Sequence, residues 1–486
     1  MFREMLRQKT REARTENGGA AYSTSGSDCL DLFAAAGALR EAEEQEITLR
    51  FARAYAENAE LAVKMLFFVR DVRGGLGERR TARVMLRWLA CSHPADVQRN
   101  LPYLAEFGRY DDLLTLLDTP CEDAAVDSIQ KQLQADVAAL QQGGSVSLLA
   151  KWLPSANASS RATVSHARRL AARLGMTERQ YRKTTVALRA RIDILEDRLR
   201  RRDYTFDYEK QPSVAMYKYR KAFARCDGPR YRDYLQRVAG GQAVLHTAAL
   251  LPYQILTPLL GGTPGADERR SLDTAWNALP DCTRGENALV VVDGSGSMYW
   301  GGRPLPASVA LSLGLYYAER NRGCFHGCFI TFSMRPQLIE VKGRDLAEKV
   351  AYCRSFCEAA NTDLQRVFEV VLQAAVCSHA PQSELPSTLY VISDMEFDAC
   401  TGHADETCFE NAGKRYARYG YKLPRVVFWN VQSRSRQQPV QQNDQGVALV
   451  SGCTPQLFSL VTRGQLTPLA CMYDILHSQR YACITV

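Results

Sequence analysis

The 486-residue chain contains no run of about eighteen uncharged apolar residues, the length a helix needs to cross a bilayer, so no membrane span is expected. Its N-terminus, MFREMLRQKTREARTENGG, lacks the apolar core of a secretory signal, and a cytoplasmic location is expected. Fifteen cysteines occur without the dense spacing of a small disulfide scaffold, which points to reduced thiols. Cys400, His403 and Cys408 fall close together in CTGHADETC, but a fourth ligand is not evident and the spacing is not a zinc pattern. They are read as incidental. No clean repeat period survives, no Gly-Lys-Ser/Thr phosphate loop is present, and no base and nucleophile pair is visible. The protein is not expected to be an enzyme.

What is there is the balance of a globular chain, 46% hydrophobic and 23% charged, long enough for two to four domains. The net charge of +8 is unevenly spread. Between Lys151 and Asp233 stand 21 Lys and Arg against 9 Asp and Glu, so the remainder of the chain is slightly acidic. Concentrated positive charge suits a phosphate backbone, although a solvated helical face gives the same composition.

Apolar residues recur at helical spacing through the first 280 residues, as in SDCLDLFAAAGALR, where Ser27 is a candidate N-cap, and in ERRTARVMLRWLACS. Short turns carrying Gly, Pro, Asn or Asp separate these stretches, which predicts an all-α, HEAT-like helical array over 1–280. Beyond GGTPGADERR the pattern changes. The runs ALVVV, GCFITF, TLYVIS, RVVFWNVQ and GVALVS, mostly separated by helical stretches, predict a doubly wound α/β domain over 285–486 with a largely parallel sheet.

The first of those runs continues into DGSGSMYW. A nucleophile elbow needs glycines two residues either side of its serine, and neither Ser295 nor Ser297 has them. An aspartyl-phosphate enzyme would use a second aspartate two residues on, and that position is Ser295. An oxygen-only cation site fits better, because Mg²⁺ keeps several waters and needs few protein ligands. Asp293, Ser295 and Ser297 would turn around one point, with Thr362 at a helix start and Asp394 after a strand as further oxygens. Any one of these loops alone would be an ordinary turn or N-cap.

Asp293, Ser295 and Ser297, then Thr362, then Asp394 resemble the metal-ion-dependent adhesion site of von Willebrand factor A domains, over roughly the last 200 residues. The middle loop, AANTDLQ, departs from the pattern in lacking a glycine-rich lead. The resemblance implies a divalent metal, Mg²⁺ first and Ca²⁺ or Mn²⁺ as alternatives. RDVRGGLGERR, EFGRYDDLL, KWLPSANAS and PSVAMYKYRKAF, with the C-terminal part, look like the domain-of-unknown-function family 2828. That layout is similar to Ro-type proteins, in which a ring of helical repeats, the TROVE module, is closed by an A domain. Those relatives bind small noncoding RNAs and the ends of misfolded RNAs, so the resemblance implies RNA as a partner.

The residues add their own chemistry. Single-stranded RNA is held by cations on phosphate and by bases stacked on rings. Tyr217, Lys218, Tyr219, Arg220 and Lys221 interleave the two types, Lys151 and Lys210 are further candidate RNA contacts, and Arg70, Arg73, Arg79 and Arg80 surround a glycine turn whose amides could approach an anion. The alternatives are half-buried packing tyrosines and a plain helix-ending turn. Two functions from different classes follow: an RNA-binding scaffold, or a metal-dependent protein-interaction adaptor with a protein partner at the metal.

Overall fold

The computed structural model describes residues 10–486 apart from 17, 19, 263, 284, 333–334, 357–362, 398–407, 434–436 and 462–465. Two short strands, β1 (Glu12–Arg14) and β2 (Ala20–Tyr22), pair as an antiparallel hairpin. Neither is long enough to show an alternating pattern, so sequence alone does not predict it. A mostly helical stretch then runs to Asn277.

Helices begin where a side chain accepts from the free N–H groups of the first turn. Ser27 accepts from Leu30 N ahead of the helix Asp28–Ala35, as its place in GSD predicts, and Asn58 accepts from Leu61 N. Asn58 thereby divides an apolar run into two helices, Glu44–Glu57 and Ala59–Arg70. The second is buried at every position from Leu61 to Arg70. Asp193, in the left-handed region at φ 56°, ends the basic helix Glu178–Ile192, and Leu195–Arg200 starts anew beyond it. Among the described residues no helix is long and apolar enough to cross a membrane.

The expected apolar runs become β3 (Ala288–Asp293), β4 (Cys328–Phe332), β6 (Thr388–Ser393), β7 (Arg425–Asn430) and β8 (Val447–Ser451). A short strand the pattern did not predict, β5 (Leu338–Glu340), adds antiparallel to β4 at the edge. The sheet order is β5-β4-β3-β6-β7-β8, with every other pairing parallel. These strands do not alternate apolar with polar because both faces are covered. Val290 and Val292 point into one core and Leu289 and Val291 into another, the second shared with the helix Leu364–Ser378.

The first core does not stop at the sheet. It runs from Phe33, Phe68 and Leu104 in the helical part through Val290 and Trp429 to Phe458 and Tyr481. The change of secondary structure near residues 280–285 is therefore not a break in packing. The two chain ends form the seam. Gly37 N donates to Ser451 Oγ at 2.9 Å, and Ser451 Oγ donates to Phe33 O at 3.1 Å. From the other end, Arg480 and Tyr481 reach Asp71, while Thr485 and Asn100 exchange two hydrogen bonds at 2.6 and 3.1 Å.

At Gly37 the seam has no room for a side chain: an added Cβ would lie 2.5 Å from Ser451 O and 2.6 Å from Gly452 Cα. Gly37→Ala is expected to destabilise the protein by about 1–3 kcal/mol through overpacking against backbone. Urea denaturation measures this, and an unchanged midpoint would mean that the helices and the sheet part here at no cost.

Candidate cation site and cavity

In an open α/β sheet, ligands bind at the carboxyl ends of the strands where the strand order reverses. Here that point lies between β3 and β6. β3 ends on Asp293, and the register that pairs Val292 with Ile392 sets Ser393 beside Asp293 and places Asp394 one residue beyond. Ser393 Oγ donates to Asp293 Oδ2 at 2.5 Å, and Ser295 N donates to Asp293 Oδ1 at 2.8 Å. The hydroxyls of Ser295 and Ser297 lie 3.0 Å apart. Thr362 lies outside the described residues.

Asp293 is 1% exposed and Asp394 2% exposed. Burial first, and the neighbouring Asp394 carboxylate second, push Asp293 up to about 7, against hydrogen bonds from Ser393 and Ser295 that lower it. Two buried carboxylates of like charge with serine hydroxyls around them are a hard, all-oxygen donor set, and a divalent cation would relieve the repulsion. The residues present fit such an ion. Among the described residues no three carboxylate, imidazole or thiol side chains converge, so its ligands would be two carboxylates plus hydroxyls.

A second feature is a cavity of about 1320 Å³ between the helical part and the edge of the sheet part. Its wall includes Arg109, Lys151, Trp152, Lys210 and Lys218. The Arg109 guanidinium stacks over the Trp152 ring at 3.9 Å, and Lys151 Nζ lies 5.5 Å from the same ring. Leu148 and Val214, both exposed, add apolar surface to this wall.

The family model for a domain of unknown function, DUF2828, matches residues 15–131 and 124–280, and that for another, DUF7788, matches residues 287–467. The chain belongs to the DUF2828 family. An uncharacterized protein of Acanthamoeba polyphaga mimivirus is 30% identical over 504 residues, covering 95% of this chain and 86% of that one. The crystal structure of the Deinococcus radiodurans RO (RSR) protein is similar over 93% of this chain and 99% of that one, at 14% identity and a TM-score of 0.47.

In this DUF2828 chain the basic residues singled out by sequence separate into groups. Lys151, Lys210 and Lys218 reach the cavity wall. Tyr217, Tyr219, Arg220 and Lys221 do not. The Tyr217 hydroxyl donates to Gln254 O, Tyr219 packs on the core around Phe223, and Arg220 and Lys221 both pair with Glu268, at 2.9 and 3.2 Å. The four arginines of the glycine turn diverge as well. Arg70 is buried against Asp112 at 2.7 Å, Arg73 donates to Glu106 O, Arg80 donates to Arg40 O and Ala42 O, and Arg79 is exposed. The turn is tight for a packing reason: a Cβ on Gly75 would lie 2.0 Å from Phe68 O.

Sequence reasoning missed Arg109, Trp152 and Ser393. The signal for Ser393 was available, since the residue before Asp394 must face Asp293 in a parallel pair. Arg109 and Trp152 are 43 positions apart in sequence and meet only in three dimensions.

Arg70 and Asp112 are both buried, and removing one partner leaves an uncompensated charge. Asp112→Ala is expected to cost about 3–5 kcal/mol of stability. Chemical denaturation checks it, and a loss under about 1 kcal/mol would show the pair to be solvated like a surface bridge.

Proposed function

We propose that this protein is an RNA-binding scaffold of Ro/TROVE type, cytoplasmic, which holds small noncoding RNA or the ends of misfolded RNA. We further propose that its C-terminal part is a von Willebrand factor A domain whose metal-ion-dependent adhesion site takes Mg²⁺, or alternatively Ca²⁺ or Mn²⁺. The observation that carries the RNA reading is the cavity wall, where a tryptophan ring, three lysines and exposed aliphatic side chains face one space. Unstacked bases gain about 1–3 kcal/mol each on aromatic rings, and lysines meet the phosphates between them. Duplex RNA hides its bases from such a wall.

The strand order and the two carboxylates at its reversal support the A-domain reading. Asp293 and Asp394 would hold the cation, with Ser295 and Ser297 supplying hydroxyl oxygens and Ser393 orienting Asp293. When bound, the ion supplies a positive centre for a partner's carboxylate. A second reading, a metal-dependent protein-interaction adaptor, is favoured by one observation: Trp300, three residues beyond Ser297, is 75% exposed. Exposed tryptophans are frequent anchors of protein interfaces.

Replacing Lys151, Lys210 and Lys218 together by glutamate is expected to weaken single-stranded RNA binding and to flatten the logarithmic salt dependence by roughly 2, at about 0.7 for each phosphate no longer neutralised. Lys221→Glu, on a residue paired with Glu268 outside the cavity, is the control and should leave the slope unchanged. Filter binding at several salt concentrations decides, and no measurable RNA binding in the wild type would favour the adaptor.

Asp293→Ala takes away one of two carboxylates and with it much of the charge that offsets dehydration of the ion, so Mg²⁺ binding should be lost while the fold persists. Calorimetry giving the wild-type Mg²⁺ affinity in this variant would remove Asp293 from the site.

A further inference from the structure

Asp394 stands on the segment Ser393–Phe397 that leaves β6, and this segment turns through a strained residue. Met395 sits at φ 68°, a left-handed conformation unfavourable for any side chain but glycine, asparagine or aspartate. Two local bonds brace the turn: Met395 N donates to Ser393 Oγ at 3.0 Å, and Glu396 N donates to Asp394 Oδ1 at 3.4 Å. Met395 and Phe397 are buried in the second core, where the Phe397 ring meets Phe332 at 5.8 Å and Phe428 at 5.7 Å, and two further hydrogen bonds come from the far end of the chain. The backbone N–H of Glu16, in the loop between β1 and β2, donates to Glu396 Oε2 at 2.8 Å, and the Thr15 hydroxyl donates to Phe397 O. The hairpin is in turn pinned beside the sheet by paired backbone bonds between Tyr22 and Gln438, at 2.9 and 2.7 Å.

Glu396 is 2% exposed, and a buried carboxylate requires donors. The hairpin amide is one of them. We infer that Glu396 is a positioning residue for the cation site, and that through Glu396 and Thr15 the N-terminal hairpin and the cation are coupled. The inference rests on the cation reading given above. A docked hairpin holds the strained turn that directs Asp394, and an undocked one releases it. Coupling of this kind is reciprocal: whatever factor the docked hairpin adds to cation affinity, the bound cation adds to hairpin docking.

The full-length protein tests this with Mg²⁺ alone as the probe. Calorimetric titration of Glu396→Ala and of Thr15→Val should show Mg²⁺ affinity reduced by about tenfold, a typical coupling. Glu396→Gln keeps an acceptor for the Glu16 amide and should restore wild-type affinity. In the wild type, saturating Mg²⁺ should slow hydrogen exchange across residues 12–22 by the same factor, and Glu396→Ala should abolish that protection. If Glu396→Gln binds as weakly as Glu396→Ala, the residue acts through its charge as a ligand and the positioning role is overturned. Equal Mg²⁺ affinity in all variants, with exchange of the hairpin indifferent to Mg²⁺, overturns the coupling and leaves the cation site standing. Absence of Mg²⁺ binding in the wild type overturns the cation reading and the coupling with it.

Discussion

A carboxylate with no solvent exposure survives in a folded protein only if enough donors surround it, and Asp71 is such a group. It follows the helix Ala59–Arg70 at the entrance to the glycine turn. Its side chain accepts from Arg73 N at 2.9 Å, from Tyr481 at 3.0 Å and from the Arg480 guanidinium. Burial pushes this acid upward, but Arg480 and the turn amides outweigh burial and hold it below the ordinary range. One side chain thus fixes both the turn, whose residues 75–78 line the cavity, and the C-terminal segment that ties the sheet part to the helices. Tyr481 extends the junction by stacking on Phe107 at 5.6 Å. The helical part and the sheet part are clamped together at this point and again at Gly37.

The proposed cation site depends on a different constraint, the topology of the sheet. A strand order that reverses between β3 and β6 leaves a gap between the loops at their carboxyl ends, because those loops cross to opposite faces. Asp293 and Asp394 end up as neighbours there though 101 positions apart in sequence. Neither lies far enough out for water to screen the other, so the fold places two acids together in a low-dielectric setting that raises Asp293.

The strands were legible because each is a local run of apolar residues, and the Asp-Ser loop was legible because its residue types stand next to the strand that presents them. Helix starts at Ser27 and Asn58 are likewise local, although the break at Asn58 is hidden within a continuous apolar pattern. Charge was harder to read. Arg70 and Arg220 look like phosphate contacts in sequence, yet each meets an acid about 40 to 50 positions away, Asp112 and Glu268. A basic count cannot distinguish an arginine that faces an anionic ligand from one that satisfies a buried carboxylate. The hairpin β1–β2 escaped for the opposite reason: its stability comes from Gln438 and Phe397 at the other end of the chain.

The cavity wall is less basic than the segment that contributes to it. Arg40 is matched by Glu78 and Arg198 by Asp193, whereas Lys210, 81% exposed, only approaches Asp207 at 3.7 Å and stays available to a phosphate. Lys151 and Lys218 lean instead on rings, those of Trp152 and Tyr219. Phosphate attraction from so few uncommitted cations is modest and screened by salt, whereas stacking on Trp152 and contact with Leu148 and Val214 are not. If the wall binds RNA as proposed, discrimination there would be set by whether the ligand can offer an unpaired, apolar ring face, and a polyanion with its bases paired would meet mostly neutralised charge.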